Sequence, residues 1–126
     1  MATKTKAYNK SLLLAAVAKS KLLSPEAANI EELDGVIYAR RMSVGDREEY
    51  FEAMRKVEGT GNPEAFVRAA VDENGEALFD DSDEDLEIIK SLPPSITQAV
   101  LAKFNEINHL VRLSPNQDEE DIKKNS

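Results

Sequence analysis

The segment Glu31 to Glu52 leaves this chain the fewest structural choices. Asp34-Gly35 suits a type I′ hairpin turn, where both central residues take positive φ. It is flanked by 28–33 and 36–42, and the second stretch is rich in β-branched and aromatic residues. The spacing predicts one small β-hairpin over about 28–42. In its second strand Val36, Tyr38 and Arg40 face one way and Ile37, Ala39 and Arg41 the other. That imperfect alternation implies one face covered by a helix and one half wet. Ser43 then reads as a helix N-cap, with Asp46 in the first turn where a carboxylate favours the dipole. The helix should reach about Val57, with Tyr50, Phe51, Met54 and Val57 inward and Glu52–Lys56 as an i,i+4 ion pair outside.

Three more helices are expected after this one. Glu58 to Pro63 is a Gly-rich breaker, and the next helix opens at Pro63 or Glu64 with Phe66, Val67, Ala70 and Val71 inward. Asp72 to Gly75 reads as a turn, and Ala77-Leu-Phe79 as a short strand or extended link. Asp80 to Asp85 begins an acidic helix start, followed by apolar Leu86, Ile88, Ile89 and Leu92. Pro93-Pro94 breaks it. A last helix should run from Ser95 to about Leu113, with a stripe of Ile96, Val100, Phe104, Ile107 and Val111. Ahead of the hairpin, Tyr8 to Leu23 reads as a short helix ended by Ser24-Pro25. The fold class is therefore α+β and mainly α-helical: an N-terminal helical arm (1–24), a globular domain (25–113) holding the hairpin and a compact set of four helices, and a disordered acidic tail (114–126).

Charge and composition narrow the function classes. The chain has 126 residues and a net charge of −8. Arg40-Arg41 is too short a basic run to replace the counterions of a nucleic acid, so none is expected as a partner. Cysteine is absent, which removes disulfides, thiolate nucleophiles and Cys-ligated metals. The apolar run Leu12 to Ala18 is far short of the roughly 20 residues that span a bilayer, and no membrane partner is expected. Lys4, Lys6 and Lys10 precede that run, and Ala16-Val17-Ala18 resembles a small-residue cleavage site, but the run is short for a signal sequence and its residues form one helix face.

No constellation carries chemistry. A calcium loop needs oxygen ligands at positions 1, 3 and 5, Gly at 6 and Glu at 12. Counting from Asp81 places Leu86 and Leu92 at positions 6 and 12, and counting from Asp72 places Gly75 at position 4. The acidic cluster is better read as capping and charging a helix start. His109, the sole histidine, has no companions for a zinc site or a hydrolase triad. Gly59 and Gly61 lack the Lys-Ser/Thr of a phosphate loop. Catalytic residues, metal ligands and cofactors are thus all expected to be absent. A non-enzymatic binding module accounts for apolar helical faces, acidic balance and a polar tail. Its anchors should be buried apolar and aromatic groups. The candidates are Tyr8, Leu12 and Leu13 in the arm and Phe104, Ile107 and Val111 in the last helix. The last-helix stripe has two readings, core packing or helix-in-groove binding and self-association.

Several short patterns, in order, resemble those of the tail assembly chaperones of long-tailed bacteriophages. They are Val36-Ile-Tyr-Ala-Arg40 with Met42-Ser43, then Asp46-Arg47-Glu48, then Val71-Asp72-Glu73-Asn74-Gly75 with Leu78-Phe79-Asp80, and last Asn108-His109-Leu110. The likeness covers about Ile30 to Leu113. It departs at the hairpin tip, where many members carry a Trp or a second Gly and this chain has Leu33-Asp34-Gly35. The resemblance implies a chaperone that keeps the long apolar tape measure protein soluble in the host bacterial cytoplasm, itself absent from the mature virion. In several relatives a ribosomal frameshift adds a second domain that recruits tail tube protein. Lys123-Lys124-Asn125 is compatible with an A-rich slippery run. The alternative from the residues is an acidic phage or prophage interaction module, such as an inhibitor mimicking nucleic acid, which needs carboxylates in a duplex-like double row.

Overall fold

The computed structural model describes residues 7–110. The described residues are α+β, with an N-terminal helix, a small antiparallel sheet and four helices after the hairpin. Strand β1 (Glu26–Ile30) pairs antiparallel with β2 (Gly35–Ala39), Ala28 opposite Ile37 and Ile30 opposite Gly35. The connection is longer than a two-residue turn. Glu31–Leu33 form one 3-10 turn, Asp34 takes φ 50°, and its N–H donates to the Glu31 carbonyl at 3.1 Å. Gly35 is free to open β2 because Asp34 alone supplies the left-handed residue, a conformation that Asp tolerates better than most side chains. The Ser95 side chain beside Glu32 holds its carboxyl below the usual range.

Two further corrections concern the sheet. Strand β2 stops at Ala39, three residues before Met42, because the N–H of Met42 turns away to a side chain described below. A third strand, β3 (Ala70–Val71), pairs antiparallel with β2 through Tyr38 opposite Val71 and Ala39 opposite Ala70. Helical periodicity placed Ala70 and Val71 in a helix. Backbone pairing with β2 wins, and Ala77 contributes only a single bridge to Val71 instead of a strand of its own. The turn between them forms as expected. Asp72 accepts from the N–H groups of Asn74 and Glu76 at 2.8 and 3.0 Å, and Gly75 takes φ 88°.

The helices follow local signals at their starts. Helix α1 (Lys10–Lys19) is capped by Asn9, whose side chain accepts from the Leu12 N–H. Helix α2 (Val44–Arg55) has a full capping box: Ser43 accepts from the Asp46 N–H, and Asp46 accepts from the Ser43 N–H. Helix α3 (Asn62–Ala69) starts after Gly61, at φ 73°, with Pro63 in its first turn, where a missing N–H costs nothing. Helix α4 (Asp83–Lys90) is capped by Ser82, and α5 (Pro94–Ile107) opens on Pro94. Outside α2, Glu52 pairs with Arg55 instead of Lys56.

Helices α5 and α3 close over the sheet. Ala28, Ala39, Ala69 and Ala70 are all buried where these layers meet, and their small side chains let helix and strand backbones approach closely. Phe66, Phe104, Ile30 and Val100 fill the space between, each fully buried. Burying side chains of this size stabilises a fold by about 1.5–3 kcal/mol apiece. Ile89 and Ile96 seal the edge next to α4.

Candidate partner-binding surface

The last helix corrects the site reading most. Phe104 has no solvent exposure and packs edge-on against Tyr50, ring centroids 5.3 Å apart. It is core, so it cannot meet a partner without unfolding the layer around it. Ile96 and Val100 are buried with it, and Ile107 is half-buried and packs against the same core. Between its two readings, the described part of the stripe packs inside. Val111 lies outside the described residues.

Helix α5 also ends earlier than Leu113. His109 takes φ 55° just past the Asn108 cap. The Leu110 N–H donates to the Asn105 carbonyl at 2.9 Å and the His109 N–H to the Glu106 carbonyl at 3.3 Å. This pair of backward bonds is a Schellman ending, with His where Gly is commoner. Arg47 completes it, its Nε donating to the Asn108 carbonyl at 3.1 Å and a terminal nitrogen to the His109 carbonyl at 2.8 Å.

Around this ending three of the short patterns noted in the sequence converge, those at Arg40–Ser43, Asp46–Arg47 and Asn108–His109. The buried Asn108 side chain accepts from the Met42 N–H at 2.7 Å and donates to the carbonyls of Arg40 at 2.7 Å and Phe104 at 3.0 Å. Arg40 lies 3.5 Å from the Asp46 carboxylate that belongs to the α2 capping box. Arg40, Met42, Ser43, Asp46, Arg47 and Asn108 therefore act as one joint among β2, α2 and α5. Their spacing serves folding. A shallow open depression of about 300 Å³ lies over the joint, lined by Met42, Val44, Arg47, Ile107 and His109 among others. A second, of about 290 Å³, brings Arg40 and Arg68 beside Val67, Val71 and Phe79.

The acidic helix start is likewise occupied by its own backbone. Asp80 accepts from the Ser82 N–H, Asp85 accepts from the Asp80 N–H, and the Ser82 hydroxyl accepts from the Asp85 N–H. Bonds from the Ser82 side chain and backbone hold the Asp80 carboxyl below its ordinary range. Among the described residues no group of three or more His, Cys, Asp or Glu is placed to hold a metal ion, and no helix is long and apolar enough to cross a membrane.

Apolar side chains open to a partner lie on the arm and the outside of α2, and singly at Leu33, Val36, Leu78 and Ile88. No residue of α1 is buried. Tyr8, Leu12 and Leu13 are 51%, 44% and 49% exposed, and Leu14, Leu22 and Leu23 are more so. Helix α2 also has no buried residue, and Phe51, expected inward, is turned out with the Arg47 guanidinium 4.8 Å from its ring centre. Val44, Glu48, Phe51 and Glu52 thus share one exposed stripe, which their i, i+4, i+7, i+8 spacing could have revealed. No family model, curated protein or solved structure matches this chain.

Proposed function

We propose that this protein is a phage tail assembly chaperone: a non-enzymatic module that binds the tape measure protein through its N-terminal arm and keeps it soluble in the host bacterial cytoplasm during assembly. The observation that carries the reading is the arm. A ten-residue helix with leucines on several sides and nothing buried is apolar surface awaiting cover. A long, apolar, helical client offers that cover by helix-to-helix packing. The order of short patterns from Val36 to Leu110 is the reason for naming this client over others. In the same reading the protein self-associates, is absent from the mature virion, and recruits tail tube protein through a frameshifted fusion. The rival reading, a nucleic-acid mimic, is favoured by no arrangement of carboxylates: Asp46, Asp80 and Asp85 are bent back onto backbone N–H groups instead of forming an outward double row.

The test is co-expression with the tape measure protein from the same genome. Leu13→Ala in the full chain should reduce the co-purified, soluble tape measure protein at least about tenfold, the loss expected when one anchor worth about 1.4 kcal/mol is removed. Thermal stability should be unchanged, since Leu13 touches no core. Unaltered co-purification, or a gene neighbourhood without a very long helical protein, rejects the reading. Phe104→Ala is not a usable probe of this surface, because that ring is core.

A further inference from the structure

Charge in this chain is divided between arm and body. Residues 1–24 hold Lys4, Lys6, Lys10, Lys19 and Lys21 and no carboxylate. The rest holds eleven basic and all 24 acidic side chains, a net −13. Among the described residues, Lys10, Lys19 and Lys21 make no ion pair, and neither does Glu48. The arm is thus a cationic segment holding an apolar helix, and it is joined to a strongly anionic body.

One surface of that body answers the arm in shape as well as charge. The outer face of α2 sets Val44 and Phe51 side by side, with Glu48 and Glu52 on one flank, Glu52 already paired with Arg55, and the Arg47 guanidinium over the Phe51 ring; Val44 continues into the depression beside Ile107 and His109. At a rise of about 1.5 Å per residue, α1 is about 15 Å long and α2 about 18 Å. A leucine-bearing helix that carries Lys10 and Lys19 can thus lie on a valine and a phenylalanine that have the unpaired Glu48 on one side. Each helix is without a buried residue in the single chain.

We propose that α1 of one copy packs on the outer face of α2 of a second copy, reciprocally, so that two chains close into a two-fold dimer by exchanging arms. Reciprocity follows from self-complementarity: each copy carries both the donor helix and the acceptor face, and a two-fold axis uses each once and leaves neither open. Apolar contact supplies cohesion, and the opposed charges set the orientation and speed of encounter. The exchange deepens the chaperone reading, because a client would compete with the second copy for the same arm, though the dimer forms without a client.

Charge reversal tests this on the full-length chain by sedimentation equilibrium. The wild-type chain should show a concentration-dependent species of twice 14.0 kDa, with Kd rising at least about tenfold between about 0.05 M and about 0.5 M salt. The variant K10E/K19E/K21E and the variant E48K/E52K should each be monomeric, with unchanged circular dichroism. Mixed one to one they should dimerise again, since the acidic arm of the first fits the basic α2 of the second and the native arm of the second fits the native α2 of the first. A monomeric wild-type chain, whether its arm is free or folded onto its own body, overturns the proposal. So does a mixture that stays monomeric, or an oligomer indifferent to both variants. A dimer that captures no tape measure protein refutes the chaperone reading alone. Capture by a strictly monomeric chain refutes the exchange alone.

Discussion

Asn108 places an acceptor and two donor hydrogens on one short side chain, and the fold uses all of them. The Met42 N–H and the Arg40 carbonyl belong to a chain segment leaving the sheet, where no strand partner remains. Left unpaired inside the protein, such groups cost about 1–3 kcal/mol each. Asn108→Ala should therefore destabilise the chain by about 2–3 kcal/mol in urea titration, and Asn108→Asp by a comparable amount, because it removes both donors and buries a charge. A loss under about 0.5 kcal/mol would show that solvent satisfies these groups and that the joint is not rigid. The role of this residue could not be read from its neighbours. Asn108-His109 lies within a helical period, and the visible stop signal was Ser114-Pro115. What ends α5 is the left-handed His109 together with Arg47, a residue 62 positions away in the chain.

Elements differed in how plainly they announced themselves. The α2 cap was legible because the atoms that make it lie within four residues: Ser43 and Asp46 satisfy each other's N–H groups with no help from the rest of the chain. Ser43→Ala should cost about 1 kcal/mol, read as a shift in the denaturation midpoint without a change in its slope. A neutral result would mean that the joint with Arg40, Arg47 and Asn108 holds the start of α2 by itself. The hairpin was legible in kind but not in register. Asp34-Gly35 indicated a reversal, and the actual reversal uses Glu31 to Asp34, so β1 lies two residues earlier at its start than expected. Strand β3 was hidden, because two residues are too few for any periodicity to show.

Over the whole molecule, the layer between α2 and α5 ties stability to pH. Tyr50 stands edge-on to Phe104, and burial raises its phenol above the ordinary tyrosine range, with the nearby Arg68 charge opposing the rise. The folded-state value thus exceeds the unfolded one. The stability this contributes is complete below the unfolded tyrosine value of about 10 and is lost as pH rises through the folded value. Unfolding free energy measured from about pH 9 to about pH 11 should decline, and Tyr50→Phe should flatten the decline. A slope identical in Tyr50→Phe would assign the alkaline loss elsewhere, for instance to repulsion within a body of net −13. Asp80 and Glu32 act at the opposite end. Their lowered carboxyls favour the folded chain above their unfolded values, and that support fades as pH falls through the folded ones.

Short-range bonding was present in the order of residues: the caps at Asn9, Ser43 and Ser82, the Asp72–Gly75 turn and the reversal near Asp34 each close within about five positions, so neighbours alone satisfy them. Amphipathic stripes were equally visible, but a stripe states only that a face is apolar, not what covers it. The leucines of α1 lie on several sides of their helix and Ile96, Val100 and Phe104 on one side of α5, and neither arrangement names its cover. Packing separated them, because α5 finds the sheet and helix α3 to lie on while α1 finds no such cover. That choice depends on where segments sixty or more residues apart come to rest, which no local window contains.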